Sequence, residues 1–342
     1  MHQEIEPSLT STHLQPAGAT AMDRVLDQRT AERMAGGFSA NTRRAYRAHL
    51  DRYQKWCREQ DRTPYPATPQ TMAGWVSHLR DMGLSPSSVE VALSAVRSEH
   101  SRRGLAVNTE AARLVLRQHR KSWAENGGRV RQAAAITTQQ LRLMIDQAPA
   151  ERLAGLRDRA LLTLGYAGMF RRSELARLNL EDVRGCDEGL EVFLSQSKTD
   201  RDAHGTTVKI PYGTRRDTCP VRSVLAWMQA LESEGVVEGA LLRGVDRHDR
   251  ISGTPGAAGT PSGRMSPESV GNAVKRLARR AGLEGVSGHS LRAGPATTAI
   301  LSGADRSDVA QQGRWDPNST AMERYIRAGQ GWERNAARHL GL

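Results

Sequence analysis

The sequence predicts a mainly α-helical protein of two domains, with a small antiparallel sheet confined to the second. Three observations carry that expectation. Apolar residues recur at intervals of three and four through most of the chain, and several of these stripes open on Ser-Pro or Thr-Pro and close on Gly. Two alternating or β-branched segments, 190–196 (LEVFLSQ) and 206–212 (TTVKIPY), interrupt the helical period. Between residues 124 and 135 (AENGGRVRQAAA) the apolar face disappears around two adjacent glycines, as in a linker. A length of 342 residues, 38% hydrophobic, accommodates two cores.

Residues 1–38 are polar, without a sustained period, and read as a disordered tail. From Asn41-Thr42 the residues Tyr46, Leu50, Tyr53 and Cys57 form an amphipathic stripe. Thr68-Pro69 opens a second helix (Met72, Val76, Leu79) that Gly83 stops, and Ser85-Pro86 opens a third (Val89, Leu93, Val96) that ends at Gly104. A fourth, near 109–123, uses Ala112, Leu116, His119 and Trp123. This places a four-helix domain at 39–123, the linker at 124–135 and a second domain at 136–342. The second domain begins with Thr137-Thr138 capping a helix through Leu141 and Ile145, followed by an apolar helix from Leu156 to Met169 and an amphipathic one with Ser173 as its expected N-cap. The segments 190–196 and 206–212 then form a hairpin around a Thr199–Gly205 turn, with Lys198 at its tip. Pro220 starts a helix with Val221, Leu225, Met228 and Leu231 on its face, and 244–266 is a Gly/Pro/Ser-rich loop. Ser266-Pro267 opens a helix through Val270, Val274 and Leu277, and the remainder is helical in period, broken near Gly303, Gly313 and Gly329.

The composition narrows the function. Net charge is +12, and 44 of the 49 basic residues are Arg, whose forked donors match phosphate. The excess is uneven: residues 39–135 hold 17 basic against eight acidic residues, so the first helical domain favours a polyanionic partner. An Arg-rich chain also arises from a GC-rich genome, so motifs must decide. No run approaches eighteen apolar residues and the start has neither a basic nor an apolar leader region, which points to a cytoplasmic, nucleoid-associated protein rather than a membrane or secreted one. Cys57, Cys186 and Cys219 have no ligand or framework spacing and read as three buried thiols; no metal and no cofactor is expected.

Between the stripes of the first domain sit Arg43, Arg44, Arg47, Arg97, Arg102, Arg103, Arg117, Arg120 and Lys121. A solvated face explains each one singly. Their shared sign fits a bundle that lays helices into a major groove while its cations hold phosphates, and a hinge at 124–135 would let two domains close around a duplex.

In the second domain each polar candidate also has a plain structural explanation. Arg171 and Arg172 are two arginines at a turn, or one of them, held by Glu174, is a bidentate clamp on phosphate oxygens. Lys198 is a solvated hairpin-tip lysine, as most are, though that explanation carries less weight in a chain with only five lysines. His289 and Arg292 stand three apart on one helical face, with a satisfied structural histidine as the default, and Tyr325 taken alone is an amphipathic-helix aromatic.

Taken in order, as Arg, Lys, His-x-x-Arg, Trp, Tyr, these residues resemble the tyrosine recombinase (phage integrase) family. GMFRRSELARLNLEDV is similar to the family's first arginine box, SGHSLRAGPATT to its His-x-x-Arg box and GRWDPNSTAMERYIR to its final box. The likeness runs from about residue 41 to the C-terminus and is weaker over NTRRAYRAHLDRYQKWC and SPSSVEVALSAVRSEHSRRGL, which are similar to the family's helical core-binding domain. It implies a C-shaped DNA clamp, in which a helical core-binding domain joins an α+β catalytic domain. It also implies a site-specific recombinase that cleaves through a 3′-phosphotyrosyl bond on Tyr325 and passes through a Holliday junction without metal or ATP.

By that resemblance Arg171 and Arg292 hold the non-bridging oxygens and Glu174 orients Arg171. Lys198 protonates the leaving 5′-oxygen, and His289 takes the tyrosine proton or hydrogen-bonds the phosphate. Trp315 stands where most members carry histidine, and its indole N–H would donate to the phosphate. A phenol with a pKa of about 10 needs that help to react at neutral pH. The implied partners are double-stranded DNA with inverted-repeat sites and three further copies of the chain, docked through the stripe Trp332, Ala336 and Leu340. The chain departs from the family in three places. The first arginine box offers a pair, Arg171-Arg172, of which Arg171 stands three before Glu174 as in the family's Arg-x-x-Glu pattern. Trp315 to Tyr325 spans ten positions, one more than usual, and loop 244–266 has no clear counterpart. The rival readings are a catalytically silent DNA binder on the same scaffold, a topoisomerase-like nicking-closing enzyme and, with no acidic triad to support it, a metal-dependent transposase.

Overall fold

The structure is a computed structural model. It describes residues 29, 40–129, 134–195, 205–316, 319, 322, 323, 325, 337 and 340. Of the tail at 1–38 only Arg29 falls among them. The chain divides into two compact units, residues 1–130 and 131–342.

The first unit is built from α1 (Ala40–Glu59), α2 (Pro69–Asp81), α3 (Pro86–Arg102) and α4 (Glu110–Glu125). Two of the openers act as read. The Thr68 and Ser85 side chains accept from the backbone N–H of Thr71 and Ser88, each ahead of a proline whose missing N–H costs nothing in a first turn. The helix α4 runs two residues into the stretch read as linker. The stripes enclose a core rich in aromatic rings, with Tyr53, Trp56 and Trp75 in contact and Met72, Leu79, Leu93 and Leu116 around them. Two histidines are buried as structural links. His100 takes the Ala67 N–H on Nε2 (2.9 Å) while Nδ1 faces Val96 O (2.8 Å), and His119 Nε2 reaches Leu84 O (2.9 Å).

The second unit contains α5 (Thr138–Asp146), α6 (Leu153–Ala167), α7 (Arg172–Arg177), β1 (Val183–Cys186), β2 (Gly189–Leu194), β3 (Thr206–Pro211), α8 (Pro220–Ser233), α9 (Pro267–Arg280), α10 (Ser290–Leu301) and α11 (Arg306–Gly313). The fold is therefore mainly helical with one three-stranded antiparallel sheet, in the order β1-β2-β3. The predicted hairpin is β2–β3, with Leu190 opposite Ile210 and Val192 opposite Val208, all buried. The sheet gains a strand that the pattern did not announce. The segment VRGC has one β-branched residue and is a strand because it pairs with β2, Val183 against Val192.

Three further expectations change. The apolar helix spans 153–167 rather than 156–169. The buried face of α8 is Val221, Val224, Trp227 and Leu231; Leu225 is exposed and Met228 half-buried, because Trp227 turns inward to donate its indole N–H to Leu241 O (2.8 Å). Cys57 and Cys219 are buried thiols, but Cys186 is only half-buried, near the outer edge of the sheet.

Loop 244–266 is tied down by backbone bonds. Gly244 N–H donates to Gly263 O, Ser252 N–H donates to Gly244 O, and Val245 bridges Ile251. At its end Arg264 donates to the carbonyls of Ala176, Arg177 and Leu178, closing the C-terminus of α7 with a cation. Among the described residues no helix is long and apolar enough to cross a membrane.

Candidate active site

The site forms where the end of α6 meets the start of α10 and the end of α11. Helix α6 stops at Gly168, and Met169 takes a left-handed conformation (φ 49°) that turns Phe170 into the core. Arg171 follows as the extended N-cap of α7. Ser173 does not cap that helix. The capping comes from three residues on, where the Glu174 carboxylate accepts the Arg171 N–H (2.8 Å), leaving Ser173 inside the first turn. The same carboxylate binds Arg171 Nη1 (2.5 Å), so Glu174 fixes both ends of this residue. Burial alone would raise the Glu174 pKa. The Arg314 charge and the N–H and guanidinium of Arg171 outweigh it and hold the carboxyl below its ordinary value.

His289 is the N-cap of helix α10, and Arg292 is the helix's third residue. Arg292 is 1% exposed. Its Nη1 donates to Met169 O (2.6 Å), its Nη2 to Gly313 O, and its guanidinium stacks on Trp315, 4.0 Å from the ring centroid. Burial, together with the Arg171 and Arg314 charges, pushes its pKa down to about 9, which leaves it protonated at neutral pH. Gly313 is obligatory for this packing, since a Cβ there would lie 1.9 Å from the Trp315 ring. The next residue, Arg314, caps α11 in a left-handed conformation (φ 54°), which costs an L residue roughly 1–2 kcal/mol.

The described part of the final box returns Tyr325 to this centre. Its hydroxyl is 3.0 Å from His289 Nε2 and its ring packs on Trp315 at 5.0 Å between centroids. Beneath it lies a small apolar patch of Met169, Ala296, Ile300, Val309, Ala310 and Met322. One side of His289 is open to solvent, yet partial burial and then the Arg292 and Arg171 charges lower its pKa below the ordinary 6.5, so the ring is neutral at pH 7. A neutral imidazole can accept the phenolic proton on Nε2.

Arg171, Glu174, His289, Arg292, Trp315 and Tyr325 are thus brought together from four separate stretches of chain. Lys198 lies outside the described residues, as do Trp332 and Ala336; Leu340 is exposed. Sequence reasoning missed Arg314. Its side chain, 5% exposed, binds Glu174 Oε2 (3.0 Å), Gly168 O (3.0 Å), Met169 O (3.1 Å) and Gln312 O (2.8 Å) and lies over Phe170. Its only signal was an arginine directly after a helix-ending glycine and before Trp315. Arg171, Arg292 and Arg314 around the one carboxylate of Glu174 leave two surplus positive charges, a receptor for an anion.

In the first unit Arg43, Arg44, Arg47, Arg97, Arg102, Arg117, Arg120 and Lys121 are exposed and Arg103 is half-buried. They are not equivalent. Glu99 holds Arg102 and Arg103 at 2.7 Å each, and Arg103 also covers the Tyr65 ring. Arg97, Arg113, Arg117 and Arg120 line a groove of about 290 Å³ between α3 and α4, with Glu90 paired to Arg120. Arg113 was not among the predicted contacts.

Known proteins resemble both units. Residues 134–330 match the phage integrase family and residues 33–102 the phage integrase N-terminal SAM-like domain. An integrase/recombinase XerD homolog of Selenomonas ruminantium is 29% identical over 319 residues, covering 92% of this chain and 89% of that protein. Recombinase Cre of Escherichia phage P1 is 24% identical over 325 residues, covering 85% and 84%. In fold, the chain resembles a lambda integrase dimer bound to a COC′ core site (TM-score 0.55, 15% identity, 87% of this chain and 93% of that one). It also resembles a lambda integrase tetramer bound to a Holliday junction (TM-score 0.55, 14% identity, 90% and 78%). The chain belongs to the phage integrase family and is a tyrosine site-specific recombinase.

Proposed function

We propose that Tyr325 cleaves DNA by direct attack on the scissile phosphate, in the pocket formed by Arg171, His289, Arg292 and Trp315. The observation that carries this is the Tyr325 hydroxyl 3.0 Å from a neutral imidazole, beside guanidiniums that exceed their carboxylate by two charges. His289 Nε2 takes the phenolic proton as the oxygen bonds to phosphorus. The bond from phosphorus to the 5′-oxygen breaks, and Lys198 gives that oxygen a proton. The products are a 3′-phosphotyrosine and a free 5′-hydroxyl. Attack of a phenolate on a phosphodiester passes through a state with two negative charges, which the surplus of the arginine cluster matches, so no step calls on a metal. The covalent bond conserves the phosphodiester energy, and a 5′-hydroxyl from a partner duplex reverses the reaction without ATP.

Exchange between two duplexes requires four protomers on inverted-repeat sites and a Holliday-junction intermediate. In this reading the Trp332, Ala336 and Leu340 stripe docks neighbouring protomers, and the arginine faces of the first unit track phosphates. The solved tetramer of lambda integrase on a Holliday junction supports this arrangement by likeness of fold. Tyr325→Phe, which keeps the ring against Trp315, should bind site DNA normally and form no covalent complex on a nicked suicide substrate. A covalent adduct formed by that variant at the normal rate would overturn the assignment.

A further inference from the structure

Arg314 holds neither of the two positions assigned to the phosphate, and its donors are all turned inward. One nitrogen, Nη2, touches the partner of each phosphate-holding arginine. It donates to Glu174 Oε2 (3.0 Å), the oxygen that also takes the Arg171 N–H, and to Met169 O (3.1 Å), which takes Arg292 Nη1 as well. Its Nη1 secures the Gly168 carbonyl in the same turn. The site keeps a long side chain here in spite of a left-handed backbone, where glycine would be free of strain.

We propose that Arg314 is a positioning residue for strand cleavage, and that by bridging Glu174 to the Gly168–Met169 turn it holds Arg171 and Arg292 in one phosphate-binding geometry. The proposal rests on the reading of Tyr325 as nucleophile. Without Arg314, Glu174 Oε2 keeps only the Arg171 backbone donor, and the Glu174–Arg171 pair loses its tie to the Gly168–Met169 turn. The Met169 carbonyl keeps only Arg292. The surplus charge of the pocket falls from two to one, while the negative charge it must meet in the transition state is unchanged. The effect therefore belongs to the chemical step more than to duplex binding, which is spread over the rest of the surface.

A purely structural bolt at the end of α11 would predict something else: lost stability, and equal loss on every substrate. Arg314→Gly removes the side chain and relieves the backbone, and Arg314→Lys keeps the charge but not the planar fork. Each is to be assayed for thermal unfolding, site-DNA affinity and single-turnover cleavage. Two suicide substrates are compared, an ordinary phosphodiester and a methylphosphonate, whose scissile group carries one negative charge fewer.

Arg314→Gly should cleave the phosphodiester about 100-fold more slowly, the scale of losing one preorganised donor to a developing oxyanion. DNA affinity should change less than about threefold, and the methylphosphonate should be cleaved within about tenfold of the wild-type rate. Guanidinium ion at about 50 mM should restore part of the phosphodiester rate by filling the vacated site. Arg314→Lys, which remains folded if the glycine variant does not, should lose about tenfold in cleavage with affinity retained. Wild-type cleavage by Arg314→Lys, or equal losses on the two substrates, overturns the proposal. Tyr325→Phe run alongside separates the two readings: a covalent adduct in that variant defeats the nucleophile assignment, whereas its absence together with a fully active Arg314→Lys defeats only the role given to Arg314.

Discussion

His289 shows how one residue carries a measurable pH signature. Its folded pKa lies below 6.5 because burial and the Arg292 and Arg171 charges disfavour the imidazolium. The free enzyme therefore keeps a proton acceptor beside Tyr325 throughout neutral pH. The acid limb of kcat/KM for cleavage, which reports the free enzyme, should fall below pH 6.5, and His289→Gln should abolish that limb while lowering the plateau about 100-fold. Rates measured between about pH 5 and pH 8 check this; a limb above pH 6.5 contradicts it. The stability sign follows from the same shift. Just below pH 6.5 the unfolded chain binds more protons at this residue than the folded one, so its contribution is present above that pH and is lost as pH falls through the folded pKa. The side chains that the structure brings together, Arg171, Glu174, His289, Arg292, Trp315 and Tyr325, were all singled out in the sequence, because they stand in boxes of distinctive order. Arg314 was not among them: among 44 arginines nothing in the local pattern says which is buried, and all but one of its named partners, Gly168 O, Met169 O and the Glu174 carboxylate, lie some 140 residues away.

At the scale of elements, legibility followed the strength of local rules. Thr68-Pro69, Ser85-Pro86 and Ser266-Pro267 each gave the start of a helix, since cap and proline act within one turn. Strand β1 and the rotated face of α8 depended on partners distant in sequence, as did the cap of α7, which Glu174 supplies in place of Ser173. One glycine shows how tightly elements meet at the site. Gly294 lies in the second turn of α10, and a Cβ on it would stand 2.2 Å from Ile136 O and 2.8 Å from Ile136 N. Alanine normally gains about 1 kcal/mol over glycine inside a helix. Here the backbone clash should reverse the sign, giving a net loss of about 1–3 kcal/mol in Gly294→Ala. Because Arg292 stands two residues before it on the same helix, cleavage should fall further than DNA affinity. Chemical denaturation and suicide-substrate kinetics on one preparation test both parts; a stabilised or fully active variant would show that α10 can shift without consequence.

For the whole molecule the governing quantity is the net charge of +12 and its concentration in the first helical unit. Association with DNA should weaken steeply with salt. The structure divides the arginines by what already holds them: Arg97 and Arg117 line the groove between α3 and α4, whereas Arg102 and Arg103 share Glu99. Arg97→Ala and Arg117→Ala should each reduce the slope of log K against log salt by about 0.9, one phosphate contact apiece. Arg102→Ala should reduce it by less than half as much, because its charge is already offset. Titrations over a range of salt concentrations distinguish these, and equal slopes for all three variants would remove the distinction.

The apolar patch beneath Tyr325 has a bearing on how firmly that side chain is held. Met169, Ala296, Ile300, Val309, Ala310 and Met322 form a cluster separate from the large core around Leu161, Phe170 and Trp227. A side chain packed on so small a cluster can be displaced for far less free energy than unfolding the unit demands. Displacing that one side chain would leave the arginine cluster in place, since Arg292 and Arg314 are tied to the backbone carbonyls of Gly168, Met169 and Gly313.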